Sequence, residues 1–250
     1  MTVWHLRCPD APSASGAGSP FVSEQLLASF ADQVAGGGID RIFGLELRLA
    51  YHYEHVASPA PQRRPQSLRK FFLRPAVEPI LFSWKEDLDP ESAGHAMVDQ
   101  YVSSVSGLLA RVRDQDARSG KDEQGNFAQF PDCDDAAQYL KRIAAAVPTL
   151  AGPVRKAGYV FAESILSHPY LDGNARLGRG LALLTLSKYL GSFTPLPLGP
   201  VLMAHNDRYI EALQSLAASG NWEEFFGQFD WFLAETARLS LGILGGKAVG

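Results

Sequence analysis

The chain has 250 residues, 46% of them hydrophobic and 20% charged, with a formal net charge of −4. That size and composition suit one globular domain with an appendage, and the mild negative charge gives no footing for general nucleic-acid binding. No apolar run reaches the length of a membrane span, Met1 to Arg7 lack the apolar stretch of a signal peptide, and Cys8 and Cys133 make no disulfide framework, so a cytoplasmic, reducing setting is expected.

Residues 1–22 read as a flexible tail, because positions 9–20 are almost entirely Pro, Ala, Ser and Gly. Ser23 then caps a helix carrying Leu26, Leu27, Phe30 and Val34 at helical spacing, and Gly36 to Gly38 end it. A second helix is predicted from Ile39 to about His55. His52 and His55 lie one turn apart on it and read as a packed or solvated face, since no third metal ligand adjoins them. Positions 57–66 are a Pro- and Arg-rich loop, and Pro75 and Pro79 forbid a regular helix between Leu68 and Trp84. The span 23–92 is thus an N-terminal helical region of unknown role.

Asp89-Pro90 looks like a cap followed by proline at the first helical position, opening a helix to about Asp114. Positions 115–135 are polar and turn-rich, and Asn126 to Phe130 alternate weakly, as a short strand would. A helix from Asp135 to about Val147 is broken by Pro148, and another from Val154 to about Ser167 delivers His168. Leu181 to Leu190 is apolar almost all round, which predicts a buried central helix, and Pro195, Pro197 and Pro200 predict an irregular connection after it. Asn206 or Asp207 caps a further helix bearing Tyr209, Leu213 and Leu216. Past Gly220 runs a long helix with Trp222, Phe225, Phe226, Phe229, Phe232 and Leu233, an aromatic stripe that reads as core. The expected fold is mainly α, about eight helices with one small β element.

The chemistry is concentrated in His168-Pro169-Tyr170-Leu171-Asp172-Gly173-Asn174-Ala175-Arg176-Leu177-Gly178-Arg179. His168 supplies an imidazole able to change charge near neutral pH. Asp172 is a hard carboxylate of the kind Mg²⁺ prefers. Gly173-Asn174 permits a tight turn and a helix cap, and the helix behind it presents free N–H groups that favour an anion. Arg176 and Arg179 share one face of the first turns. Two cations at the positive end of a helix dipole are unfavourable unless an anion sits among them, so the stretch reads as a phosphate site.

The same stretch resembles the signature of Fic domains, His-x-Phe-x-(Asp/Glu)-Gly-Asn-(Gly/Lys)-Arg-x-x-Arg. The likeness holds at His168, Asp172, Gly173, Asn174, Arg176 and Arg179, with Tyr170 in place of Phe and Ala175 in place of Gly or Lys. It implies a Fic-like helical bundle over 93–250 with a small β-hairpin flap before the signature. Positions around 119–133, Asn126, Phe127 and Ala128 among them, are the candidate flap, beside the plainer reading of a surface loop. Fic proteins typically move AMP from ATP onto a hydroxyl side chain. The resemblance therefore implies ATP as substrate, Mg²⁺ as cofactor on Asp172, and His168 as the base that takes the hydroxyl proton. Gly173, Asn174, Ala175, Arg176 and Arg179 would bind the nucleotide, and the partner would be a target protein with a Ser, Thr or Tyr hydroxyl. If the backbone at Ala175 is helical the alanine is harmless; if a glycine conformation is needed there, phosphate binding weakens.

Many Fic proteins are restrained by a (Ser/Thr)-x-x-x-Glu-(Gly/Asn) motif. Ser219 to Glu223 has the spacing, but Glu224 follows where Gly or Asn belongs, so the match reads as chance. Control then falls to a separate inhibitory partner protein, to the first 90 residues, or to nothing at all. Three readings are carried forward: an AMP-transferase, a related transfer of UMP, phosphocholine or phosphate, and a non-catalytic Fic-like binding module. Delivery to another cell as an effector, and a toxin–antitoxin setting, fit the same resemblance.

Overall fold

A computed structural model describes residues 3–12, 21–34, 38–55, 112–119, 125–171, 173–191 and 196–246. Among the described residues there are nine α-helices and one two-stranded sheet. The helices are α1 (Val22–Val34), α2 (Gly38–His55), α3 (Cys133–Ala137), α4 (Tyr139–Ala146), α5 (Pro153–Leu166), α6 (Asn174–Leu190), α7 (Leu198–Ala204), α8 (Asn206–Ser219) and α9 (Trp222–Leu244). The strands are β1 (Val3–His5) and β2 (Phe127–Gln129). None of the described helices is long and apolar enough to cross a membrane. The loop expected at 57–66, the broken stretch 68–84 and nearly all of the helix expected from Pro90 lie outside the described residues.

The core is one continuous cluster. The α9 aromatics Trp222, Phe225, Phe226, Phe229 and Phe232 are all buried in it, as the stripe predicts. Among the described residues, Leu27 and Phe30 of α1 and Leu49 of α2 enter the same cluster. The α1–α9 packing is pinned at its start, where the Ser23 N–H donates to Asp230 Oδ1 at 3.0 Å.

The central helix is α5, not α6. Twelve of the fourteen α5 residues are buried, Glu163 included, whereas Lys188 and Tyr189 of α6 reach solvent. Glycine sets how closely the pair approaches. A Cβ at Gly178 would lie 3.1 Å from Ile165 Cγ1 and 3.2 Å from the Phe161 carbonyl oxygen, tighter than ordinary packing allows.

Four expectations are corrected. The stretch from Asp135 is two helices, α3 and α4, separated at Gln138, with Asp132 capping α3 by accepting from the Asp135 N–H at 2.8 Å. The proline-rich connection contains helix α7, because Pro200 falls in its first turn, where no intrahelical N–H is needed. Residues 112–114 are not helical, since the Arg113 N–H bonds the Pro169 carbonyl instead of a preceding turn. The tail assigned to 1–22 is packed over residues 3–12: β1 joins the sheet, Cys8 is buried, and Trp222 Nε1 donates to the Asp10 carbonyl at 2.7 Å.

Candidate active site

The end of α5 is held by a buried ionic knot. Glu163 is fully buried and accepts from Arg142 Nε at 2.7 Å and from Ser167 Oγ at 2.5 Å. Arg142 reaches Ser167 Oγ at 2.8 Å and Asp135 Oδ1 at 3.0 Å, tying α3 and α4 to the last residue before His168. A buried carboxylate needs such partners, since an ion stripped of water is otherwise very costly. Cys8 adjoins this knot. Burial, and then the neighbouring Glu163 carboxylate, push its thiol well above the usual range, so it is a packing residue and a poor nucleophile.

His168 follows directly. Among the described residues it is the single non-glycine with positive φ, 46°. Its half-buried imidazole lies flat on the Phe130 ring, with centroids 3.8 Å apart and planes at 16°. Its carbonyl accepts from Arg113 Nε at 2.8 Å.

The loop then closes on itself. Tyr170 points inward, as expected of an anchor, and its hydroxyl meets that of buried Tyr139 at 3.2 Å. Asn174 holds both backbone groups of Tyr170, donating to its carbonyl at 2.7 Å and accepting from its N–H at 3.0 Å. The cap of α6 is Gly173, at φ 86°, a conformation glycine adopts without cost. Of the pair Gly173-Asn174 expected to turn and cap, Gly173 is the cap residue and the Asn174 side chain turns back to the loop.

Ala175 is helical, the second residue of α6, so the alanine imposes no backbone strain. The first helical bond runs from the Leu177 N–H to the Gly173 carbonyl at 2.9 Å. The N–H groups of Asn174, Ala175 and Arg176 precede that bond, where helix geometry turns them outward from the end. Arg176 is half-exposed, whereas Arg179 is only 1% exposed. Arg179 adjoins Tyr209 of α8, whose phenol burial pushes up to about 12 against the pull of that guanidinium. Asp172 lies outside the described residues. Among the described residues no group of three His, Cys, Asp or Glu side chains forms a metal cage. A lone carboxylate completed by substrate phosphates is how Mg²⁺ is commonly held.

The flap residues form a strand paired on both sides. β1 runs parallel to β2, with Val3, Trp4 and His5 facing Phe127, Ala128 and Gln129. On the other side Arg118 makes an antiparallel bridge to Gln129, and the Ser119 N–H donates to the Ala128 carbonyl at 2.8 Å. Backbone partners from β1 and from Arg118 and Ser119 thus occupy both sides of β2. Phe127 is half-buried under Arg118, whose guanidinium lies 5.7 Å from the ring centre, and Ala128 is buried. Glu223 of the Ser219 to Glu223 stretch pairs with Arg155 of α5 at 2.8 Å.

Sequence reasoning missed Arg113, Phe130, Tyr139, Arg142 and Glu163. Only Phe130 stood near a stretch read as special. Arg113, Tyr139 and Arg142 meet the loop and Ser167 through contacts 25 to 55 residues apart in the chain, which no local spacing reveals, and Glu163 meets Ser167 one helical turn on.

The helical bundle presents this loop at the head of its second buried helix. The fold is that of Fic family proteins in three solved structures. A Fic family protein from Desulfovibrio desulfuricans aligns with a TM-score of 0.60 at 16% identity, covering 90% of this chain and 76% of that one. A Fic domain containing signaling protein from Bacteroides thetaiotaomicron gives 0.58 at 12% identity, covering 91% and 98%. Fic-1 from C. elegans gives 0.53 at 14% identity, covering 90% and 73%. By sequence, a Fido domain-containing protein of Dictyostelium discoideum is 38% identical over 66 residues, which are 26% of this chain and 43% of that protein. No family model matches the chain.

Proposed function

We propose that the chain is a Fic-type transferase that moves AMP from ATP to a hydroxyl side chain of a target protein. One observation carries this reading: a half-buried imidazole, fixed through its backbone and its ring face, stands at the head of a loop that ends on a helix N-terminus bearing Arg176 and Arg179. A hydroxyl is a weak nucleophile at neutral pH and needs a base within hydrogen-bond reach. His168 takes the proton as the hydroxyl oxygen bonds to the α-phosphorus. The bond from the α-phosphorus to the bridging oxygen breaks, and pyrophosphate leaves with that electron pair.

The charge on the phosphates is offset by Arg176, by Arg179 and by the outward N–H groups of α6. Mg²⁺, held by Asp172 together with the phosphates, would neutralise developing charge on the leaving group. Tyr170, Tyr139 and the Asn174 side chain hold the loop in place.

Calorimetric titration of the protein with Mg²⁺-ATP tests the binding half of this reading. Saturable binding that Arg176→Ala weakens by about tenfold supports it. Absence of binding to the native protein removes ATP as the donor.

A further inference from the structure

We propose that Arg113 is a positioning residue for His168, a buried clamp that holds the base in its left-handed backbone conformation and under Phe130. The proposal rests on the reading of His168 as the base.

Arg113 is 3% exposed. Its Nε donates to the His168 carbonyl at 2.8 Å, and its own backbone N–H donates to the Pro169 carbonyl at 2.9 Å. One residue thus takes the two consecutive carbonyls that follow the strained φ of 46°. A non-glycine residue in that region is disfavoured and persists only where its surroundings over-determine it. The rest of the guanidinium reaches the flap. One terminal nitrogen donates to the Gln115 carbonyl at 2.9 Å and reaches Cys133 Sγ at 3.7 Å. The other donates to the Pro131 carbonyl and reaches the Asp132 carbonyl at 3.4 Å.

Pro131 is the residue after Phe130, whose ring covers the imidazole. The same guanidinium therefore fixes the peptide carrying His168 and the peptide next to its stacking partner. This is what a planar fork of five N–H groups can do and a lysine ammonium cannot. The consequence is functional. Rotation at His168 or slippage of Phe130 would re-aim the imidazole, and misplacement of a base by about 1 Å costs about a hundredfold in rate.

The test uses the full chain with labelled histidine rings, read by nuclear magnetic resonance beside label transfer. In the native protein the His168 ring protons are displaced upfield by the Phe130 face, and Phe130→Leu identifies that displacement by abolishing it. Arg113→Lys and Arg113→Gln should both move the His168 signals toward their Phe130→Leu positions while the Trp222 indole signal stays in place. In the same variants kcat for label transfer should fall by about a hundredfold with KM for Mg²⁺-ATP changed less than about threefold. A folded Arg113→Lys or Arg113→Gln protein with native His168 signals overturns the proposal. Where neither variant folds, solvent exchange of the Arg113 Nε–H in the native protein decides. Exchange as slow as that of buried helix amides supports the clamp, and fast exchange overturns it. A native protein that transfers no label speaks against the transferase reading and leaves the resonance outcome intact.

Discussion

Asn174 binds Tyr170 twice through the backbone, its Nδ2 donating to the carbonyl at 2.7 Å and its Oδ1 accepting from the N–H at 3.0 Å. Both residues are buried, at 2% and 4% exposure, so neither backbone group can turn to water if the side chain is removed. Each buried polar group left without a partner costs about 1–3 kcal/mol. Asn174→Ala is expected to lower unfolding stability by about 3 kcal/mol, read from urea denaturation. A loss below about 0.5 kcal/mol would show that the loop closes without this residue.

Ala175 departs from the Fic signature, yet its backbone is helical, so the alanine carries no backbone strain. Ala175→Gly should lower stability by about 0.5–1 kcal/mol, the ordinary cost of glycine in a helix, and leave Mg²⁺-ATP affinity within about twofold. A gain in affinity of tenfold or more would mean that the alanine methyl group obstructs the ligand.

Gly178 supplies a contest of opposite signs. Glycine to alanine in a helix interior normally stabilises by about 1 kcal/mol. Here the new Cβ would meet Ile165 Cγ1 at 3.1 Å and the Phe161 carbonyl at 3.2 Å, and overpacking of this kind costs about 1–3 kcal/mol. Gly178→Ala should therefore lower the melting temperature, whereas the helix-propensity effect alone would raise it.

His205 sits edge-on between Tyr53 and Trp231, with centroids 5.6 and 5.0 Å away. Burial lowers its pKa below the ordinary histidine value; Glu235 opposes this and Arg208 adds to it. As pH falls, the unfolded chain takes up the proton first. The contribution of neutral His205 to stability is thus complete above about pH 6.5 and is lost as pH falls below that value toward the folded pKa. Urea midpoints measured from about pH 7.5 to 5.5 should fall more steeply for the native protein than for His205→Gln. Parallel curves would show that His205 carries no such linkage.

Much of the bundle was legible because it rests on local patterns. The stripes of α1, α8 and α9, the glycine after α8, and the loop ending in α6 are each written within one or two helical turns. What was not legible depends on distant partners. The N-terminal strand reads as tail because Val3 to His5 become a strand only by pairing with Phe127 to Gln129. Arg113 reads as helix because the carbonyl its N–H binds belongs to Pro169. The Pro200 helix is hidden because Pro195, Pro197 and Pro200 together read as an irregular connection, although the first turn of a helix tolerates proline. The pair Gly173-Asn174 reads correctly as a turn and cap, but the double hold of Asn174 on the Tyr170 backbone does not show in the spacing.

The most direct test is label transfer in cell lysate, using Mg²⁺ and ATP radiolabelled at either the α- or the γ-phosphate, beside His168→Ala. Covalent label from the α position, absent in His168→Ala, is the predicted result and makes His168 the base of an AMP transfer. Label from the γ position alone, or α label that persists in His168→Ala, contradicts it.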